Sequence, residues 1–183
     1  MANTKLYRKS VTFLLAQEEA IADPNAPTSS ELNTAIDTLA EIGDNTLVYN
    51  ITCALVEDGT TFELGDPDTD ETLTFCDEAN YSEPTIDNPS VVFEFLEDAN
   101  PTATGQFNLA RALLSVPGLT YYVILRVGPD SNEAFAADQV VNIVRVQTDY
   151  AVEVKDSGSP VRLTQNFLND GFSHPDWNYR LAA

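Results

Sequence analysis

A mainly β architecture, a two-sheet β-sandwich or flattened barrel with one flanking α-helix, follows from three features of the 183-residue sequence. About seven or eight segments alternate apolar and polar residues or run continuously β-branched, which is strand patterning. Pro, Gly and Asp turns separate them, and a single stretch over about 105–116 carries a well-supported helical period. The 43% apolar content, with 9 Phe and 7 Tyr, suffices for a core despite the charge. A chain of this length buries roughly two-thirds of its unfolded surface without metal or disulfide staples. One domain over 1–183 is expected, with an amino-terminal arm over about 1–12 and an extended acidic loop over about 57–88.

Along the chain, the polar loop DPNAPTSS (23–30) ends in Thr28-x-x-Glu31, a capping-box pattern. Leu32, Ala35, Ile36 and Leu39 then fall at i, i+3, i+4 and i+7 before Gly43, so a possible second, short helix spans about 29–42. TLVYNITCALV (46–56) alternates Tyr49, Ile51, Cys53 and Leu55, and SVVFEFLED (90–98) alternates Val91, Phe93 and Phe95 against Val92, Glu94 and Leu96. Both read as half-buried strands. In TGQFNLARALLSVPG, Phe107, Ala110 and Leu114 share a face beside Leu113, and Pro117-Gly118 stops the helix. LTYYVILRV (119–127) and QVVNIVRVQT (139–148) are longer strands, followed by YAVEVK (150–155) and PVRLTQNFL (160–168). EDG (57–59), VGPDSN (127–132) and DSGSP (156–160) supply turns.

The charge is one-sided. Against 29 Asp+Glu there are 9 Lys+Arg, a formal charge of −20. Residues 1–110 hold 21 of the acids and only Lys5, Arg8 and Lys9 as cations, whereas 111–183 hold 6 cations and 8 acids. Such a chain repels nucleic acid, because phosphate binding needs cations to displace counterions. No apolar run approaches the roughly 20 residues of a spanning helix, and residues 1–20 carry no secretory h-region with a cleavage site, so neither membrane nor secretion is expected. Cys53 and Cys76 lack metal-ligand spacing and read as reduced, part-buried thiols.

Little chemistry is visible. His174, in GFSHPDWN, is the single histidine, and it reads as a surface or interface residue; GxSxG, P-loop and GxGxxG patterns are absent from the sequence. Counted from Asp66, carboxylates at Asp66, Asp68, Asp70 and Asp77 with Leu73 between them copy positions 1, 3, 5, 12 and 8 of an EF-hand loop. Glu71 occupies the position that needs Gly, Asp77 replaces the bidentate Glu, and strand-like flanks replace helices. A solvated acidic loop is therefore expected in place of a calcium site. With 29 carboxylates, pairs will also meet by chance, so a hydrolase dyad cannot be read by counting.

Taken in order, several runs resemble the major tail tube protein family of long-tailed, siphovirus-type bacteriophages, particularly those of actinobacterial hosts. They are PTSSELN (27–33), DPDTDETLTFCDEANYSEPTIDN (66–88), VVFEFLED (91–98), FNLARALLSV, YYVILRVG (121–128) and AFAADQVVNIVRVQT (134–148). The chain departs from the family at Ala137, where Gly before Asp138 is more usual. The resemblance implies six copies closed into a ring, rings stacked into a hollow tube, and DNA passing through the lumen at ejection without specific binding. It also implies a virion tail location with assembly in the host cytoplasm, a tape measure protein and tail terminator and distal tail proteins as partners, and neither cofactor nor enzymatic activity. A head decoration or head-tail joining adaptor is the alternative.

Two groups of residues are expected to make assembly contacts. Lys5, Arg8 and Lys9 would dock, with apolar neighbours Leu6, Tyr7, Val11 and Phe13, on an acidic face of an adjacent subunit. Asp66, Asp68 and Asp70 would lie in an extended hairpin or loop reaching a neighbouring subunit or ring.

Overall fold

A computed structural model describes residues 11–23, 26–37, 47–66, 68–70, 83–86, 88–154, 158–169 and 176–182. Eleven strands and two α-helices are described: β1 (Val11–Gln17), α1 (Ser29–Asp37), β2 (Val48–Asn50), β3 (Thr61–Leu64), β4 (Asp68–Asp70), β5 (Glu83–Ile86), β6 (Pro89–Leu96), α2 (Gln106–Leu114), β7 (Thr120–Val127), β8 (Val140–Thr148), β9 (Val152–Val154), β10 (Arg162–Asn169) and β11 (Asp176–Arg180). The fold is mainly β, as expected. Nine strands form one antiparallel sheet in the order β2-β1-β7-β8-β10-β6-β3, with β11 added to β8 and β9 to β10; β4 and β5 pair separately.

The two expected layers are joined through β10. Its first half, Arg162 to Asn166, pairs with β6, while Phe167 to Asn169 pairs with β8. Leu55 bridges Phe95 on the other side of β6, so the segment that leaves β2 returns along the second layer and the sheet curls toward a flattened barrel. Between the layers lies a core of Leu15, Tyr49, Ile51, Phe93, Phe95, Tyr121, Val123, Val144 and Val146, closed by Leu109, Ala110, Leu113 and Leu114 of α2. Phe93 is fully buried and meets Phe13 and Phe167 edge-on, with centroids 5.3 and 5.1 Å away.

A second core covers the opposite face of β1, β7 and β8. Leu14, Ala16, Tyr122, Ile124, Val141 and Ile143 lie there under Ile21, Leu32, Phe135 and Leu181. Burial on both faces explains why LTYYVILRV and QVVNIVRV read as continuous apolar runs without clean alternation.

The helices follow their sequence signals. Thr28 and Glu31 form a reciprocal cap: the Glu31 N–H donates to Thr28 Oγ1 at 3.3 Å, and Glu31 Oε2 accepts the Thr28 N–H at 2.8 Å. Leu32 is fully buried, whereas Leu39 and Gly43 lie outside the described residues. In α2 the buried set is Leu109, Ala110, Leu113 and Leu114, with Phe107 half-buried beside it. The helix ends before Gly118, whose φ of 83° is a left-handed turn conformation that suits glycine.

Four differences stand out. The strand expected over 46–56 stops at Asn50, because Asn50 Oδ1 accepts both the N–H and the hydroxyl of Thr52 (3.1 and 2.7 Å) and turns the chain. Cys53 is consequently exposed instead of part-buried, and Cys76 lies outside the described residues. The arm expected over 1–12 overlaps β1 at Val11 and Thr12, and Phe13 is half-buried against the inner core. Third, the segment 57–88 contains β3, β4 and β5. The last difference is β11, a strand in a polar stretch that sequence reasoning left unassigned.

Candidate assembly surface

The expected contact residues fall in two places. Lys5, Arg8 and Lys9, with Leu6 and Tyr7, lie outside the described residues. Asp66 is exposed at the end of β3, and Asp68 and Asp70 stand on β4, opposite Ile86 and Glu83 of β5. The β3–β6 ladder leads into this pair. Gly65 donates its N–H to the Asn88 carbonyl at 2.8 Å, and Asn88 Nδ2 donates to the Asp66 carbonyl at 3.3 Å. A Cβ at Gly65 would stand 2.8 Å from that Asn88 oxygen, so the close approach requires glycine. The acidic residues Asp68 and Asp70 thus stand on one strand of a two-stranded pair that follows on from the β3–β6 ladder. Among the described residues no cluster of His, Cys, Asp or Glu could hold a metal ion. Asp77 and His174 lie outside them.

The sheet supplies a feature that sequence reasoning missed. One sector runs β3-β6-β10-β9, antiparallel throughout. Its outermost strands, β3 and β9, each have one ladder neighbour among the described residues, so each presents an unpaired edge. Along these edges Leu64 and Val152 are exposed. The face turned away from the core includes Glu63, Glu94, Arg162, Thr164 and Asn166, with Arg162 Nη1 held by Glu94 Oε1 at 2.7 Å. β9 lies within the strand read in YAVEVK (150–155), whereas β3, four residues long, is too short to stand out in a sequence.

The described cations are mostly committed. Arg111 contacts Glu97, Arg145 meets Glu18 at 2.8 Å, and Arg162 meets Glu94. Arg126 is buried in the second core. Its Nη2 donates to the Asp130 carbonyl at 2.7 Å and to Thr12 Oγ1 at 3.2 Å, and its guanidinium lies 3.9 Å from the centre of the Phe135 ring. Burial lowers its pKa, while Glu133 and Asp130 oppose the shift. Arg180 is exposed at the end of β11. Arg111, Arg126, Arg145 and Arg162 thus hold helix, strands and loops together.

The described domain is packed on both faces of β1, β7 and β8, leaves the outer sides of β3 and β9 without a ladder partner among the described residues, and carries the β4–β5 pair beyond the β3–β6 ladder. The sequence matches the model of the phage tail tube protein family over residues 1–177. The chain belongs to the phage tail tube protein family. No curated protein matches it. Membership makes it a structural component of a phage tail tube and a part of the virion, assembled with other tail components, and it favours the tube over a head decoration or joining protein. No described helix is long and apolar enough to cross a membrane.

Proposed function

We propose that six copies of this chain close into a ring through their sheet edges and that the rings stack into a hollow, acidic conduit for DNA ejection. The observation that carries it is the β3-β6-β10-β9 sector with an open strand at each side. Its four strands alternate in direction, so β9 and β3 are mutually antiparallel. A copy rotated about an axis along the strands therefore presents its β3 antiparallel to β9, and the ladder continues without a change of pattern. Such a contact is heterologous, and rotation closes it into a ring in which neither of these two edges remains. The family resemblance supplies the number six.

Six copies carry a formal charge of −120, six times −20, and a negative wall repels a passing polyanion and limits sticking. The tape measure protein would fill the tube before ejection, with tail terminator and distal tail proteins at its ends, and assembly would take place in the host cytoplasm. Lys5, Arg8 and Lys9 would reach an acidic face of an adjacent subunit, and Asp66, Asp68 and Asp70 on the hairpin would contact a neighbouring subunit or ring. Exposed ion pairs contribute about 0.2–1 kcal/mol each, so edge pairing and apolar contacts carry most of the binding.

Mass measurement of solubilised assemblies, with electron microscopy of the purified protein, tests the reading. Multiples of six subunits and hollow tubes are expected; a stable monomer at high concentration overturns it. Replacing Lys5, Arg8 and Lys9 together with Glu should impair polymerisation at low salt while leaving the fold intact, as followed by light scattering and circular dichroism. Unimpaired assembly there removes the role given to the arm.

A further inference from the structure

The outer sides of β3 and β9 match in a way that fixes how they can meet. On β3 the Gly65 N–H reaches the Asn88 carbonyl at 2.8 Å, so Gly65 points its backbone groups toward β6. Alternation along an antiparallel ladder then turns Thr61 and Glu63 toward β6, and the backbone groups of Phe62 and Leu64 away from it. At the opposite side of the sector the Glu97 N–H reaches the Val161 carbonyl at 3.0 Å, so Val161 and Leu163 face β6. Arg162 and Thr164 therefore face β9, where they pair with Val154 and Val152. Glu153, opposite Leu163, turns its backbone N–H and carbonyl away from β10.

The same residues share a side-chain face. Phe62, Leu163 and Ala151 pack against the inner core, and Glu153, directly opposite Leu163, lies on that core-facing side. Both edges thus present core-facing residues to a neighbour, so they can be joined antiparallel without turning either sheet over. A one-residue slip would set core-facing side chains against outward-facing ones. Of the registers that remain, one sets Val152, Glu153 and Val154 opposite Glu63, Phe62 and Thr61 and keeps the whole of β9 within Thr61–Leu64. A two-residue slip in either direction carries β9 past an end of β3. The full overlap also covers Leu64 and Val152, which are 42% and 59% exposed in the single copy.

One side chain opposes this join. Glu153 is exposed in the single copy and makes no ion pair among the described residues. In the seam its carboxylate would stand against Phe62 of the next copy with Leu64 on the diagonal, drawn out of water between apolar groups, which is costly. A charge on the core-facing side of an edge strand is a known obstacle to edge-to-edge pairing. We infer that Glu153 guards the ring seam, which forms in the register of Val152 opposite Glu63: the carboxylate keeps a single β9–β3 contact weak, so open chains of copies fall apart and only a closed ring, where every copy gains a seam on both sides, persists. The inference rests on the proposed ring reading and supplies its register and its control.

The test has two arms, both on the full chain. In the first, Glu153→Val should lower the critical concentration for ring formation about tenfold or more, the scale expected when a desolvated carboxylate leaves a contact, and Glu153→Gln should lower it by less. Glu19→Gln, which removes an exposed carboxylate far along the chain, should leave it near the parental value. An unchanged or raised value in both Glu153 variants, or an equal drop in Glu19→Gln, overturns the guard. The second arm joins Glu63→Cys with Val152→Cys, a pair that faces across the seam without backbone bonds at about 4.5 Å between Cα atoms, within disulfide reach. Oxidation should give covalent multimers up to closed rings, whereas Glu63→Cys with Val154→Cys, one diagonal step off, should not; the parent, with its own Cys53 and Cys76, is oxidised alongside as the blank. Bridging through Val154→Cys in preference to Val152→Cys, or through neither in assembled rings, overturns the register. A parent protein that makes no rings overturns the ring reading itself.

Discussion

Asn33 on α1 and Phe135 in the β7–β8 connection hold each other through both groups of one side-chain amide. Asn33 Nδ2 donates to the Phe135 carbonyl at 2.9 Å, and its Oδ1 accepts the Phe135 N–H at 2.6 Å, across 102 residues of sequence. The pair fixes a long connection against the helix and sets the Phe135 ring over Arg126. Asn33→Ala leaves two backbone groups without partners and should cost about 1–3 kcal/mol. For a chain of this size that lowers Tm by roughly 2–4 °C per kcal/mol, as read by circular dichroism. An unchanged Tm would show that packing of Phe135 alone holds the connection.

What could be read from the sequence was what local chemistry decides. The Thr28–Glu31 cap, the buried face of α2 and the inward Val91, Phe93 and Phe95 all depend on neighbours within a few residues, and all are present. What could not be read depends on distant partners. Val11–Gln17 looks like the continuation of an arm until β2 and β7 are seen on either side of it. β11 is a polar segment made a strand by the free half of β8. Of the proposed assembly surface, the acids of 66–70 were legible as charge, but the sheet edges were not. Those exist only once the order of strands is known.

Glu31 couples the cap of α1 to pH. Its carboxylate is partly buried, which raises its pKa, but hydrogen bonds from the Ala22 N–H, the Thr28 N–H and the Thr28 hydroxyl outweigh this and hold it below the usual 4.5. A depressed folded-state value means stability fully present above the unfolded pKa and lost as pH falls through the folded one. Glu31→Gln should therefore flatten the decline of Tm below about pH 4.5, and Thr28→Ala should cost about 0.5–2 kcal/mol at neutral pH. Parallel acid profiles for parent and Glu31→Gln would remove this carboxylate from the cause.

At the alkaline end Tyr121 dominates. Burial, and then the neighbouring Tyr49, push its pKa from 10.0 to about 12, and its hydroxyl donates to the Leu113 carbonyl at 3.2 Å. With the folded value raised, its contribution is intact below pH 10 and declines as pH rises toward 12, by about 2–3 kcal/mol in all. Tyr121→Phe should make stability less dependent on pH between 10 and 12, at the expense of about 1 kcal/mol at neutral pH. Ultraviolet titration should show at least one tyrosine fewer ionising near pH 10 in the folded parent than in the unfolded chain, Tyr49 also being raised by burial. An equal count would contradict the burial argument.

The acidic hairpin should not need calcium. Glu71 stands where a binding loop turns on Gly, strand β3 occupies the place of the required first helix, and β4 lies within the loop itself. Treatment with EDTA should leave assemblies intact. Dissolution by EDTA with recovery on adding calcium would establish a metal site in this run.

Arg126 gives the sharpest contrast between a charge and its shape. It is 1% exposed in an otherwise apolar core, and Nε and Nη1 have no partner among the described residues, so its charge is incompletely compensated. Its flat guanidinium nevertheless stacks on Phe135 while reaching Asp130 and Thr12 on one side. Met keeps the length of the stem and discards the charge; it forfeits two hydrogen bonds but also the desolvation of an ion. Lys keeps the charge in a compact, strongly hydrated head that cannot stack flat or fork to both acceptors. Arg126→Lys should therefore melt lower than Arg126→Met, with Met within about 2 kcal/mol of the parent. Arg126→Ala should fall furthest, because it adds a cavity beneath Phe135. Were Lys to melt above Met, the charge itself, and not the stacked planar group, would be what this core requires.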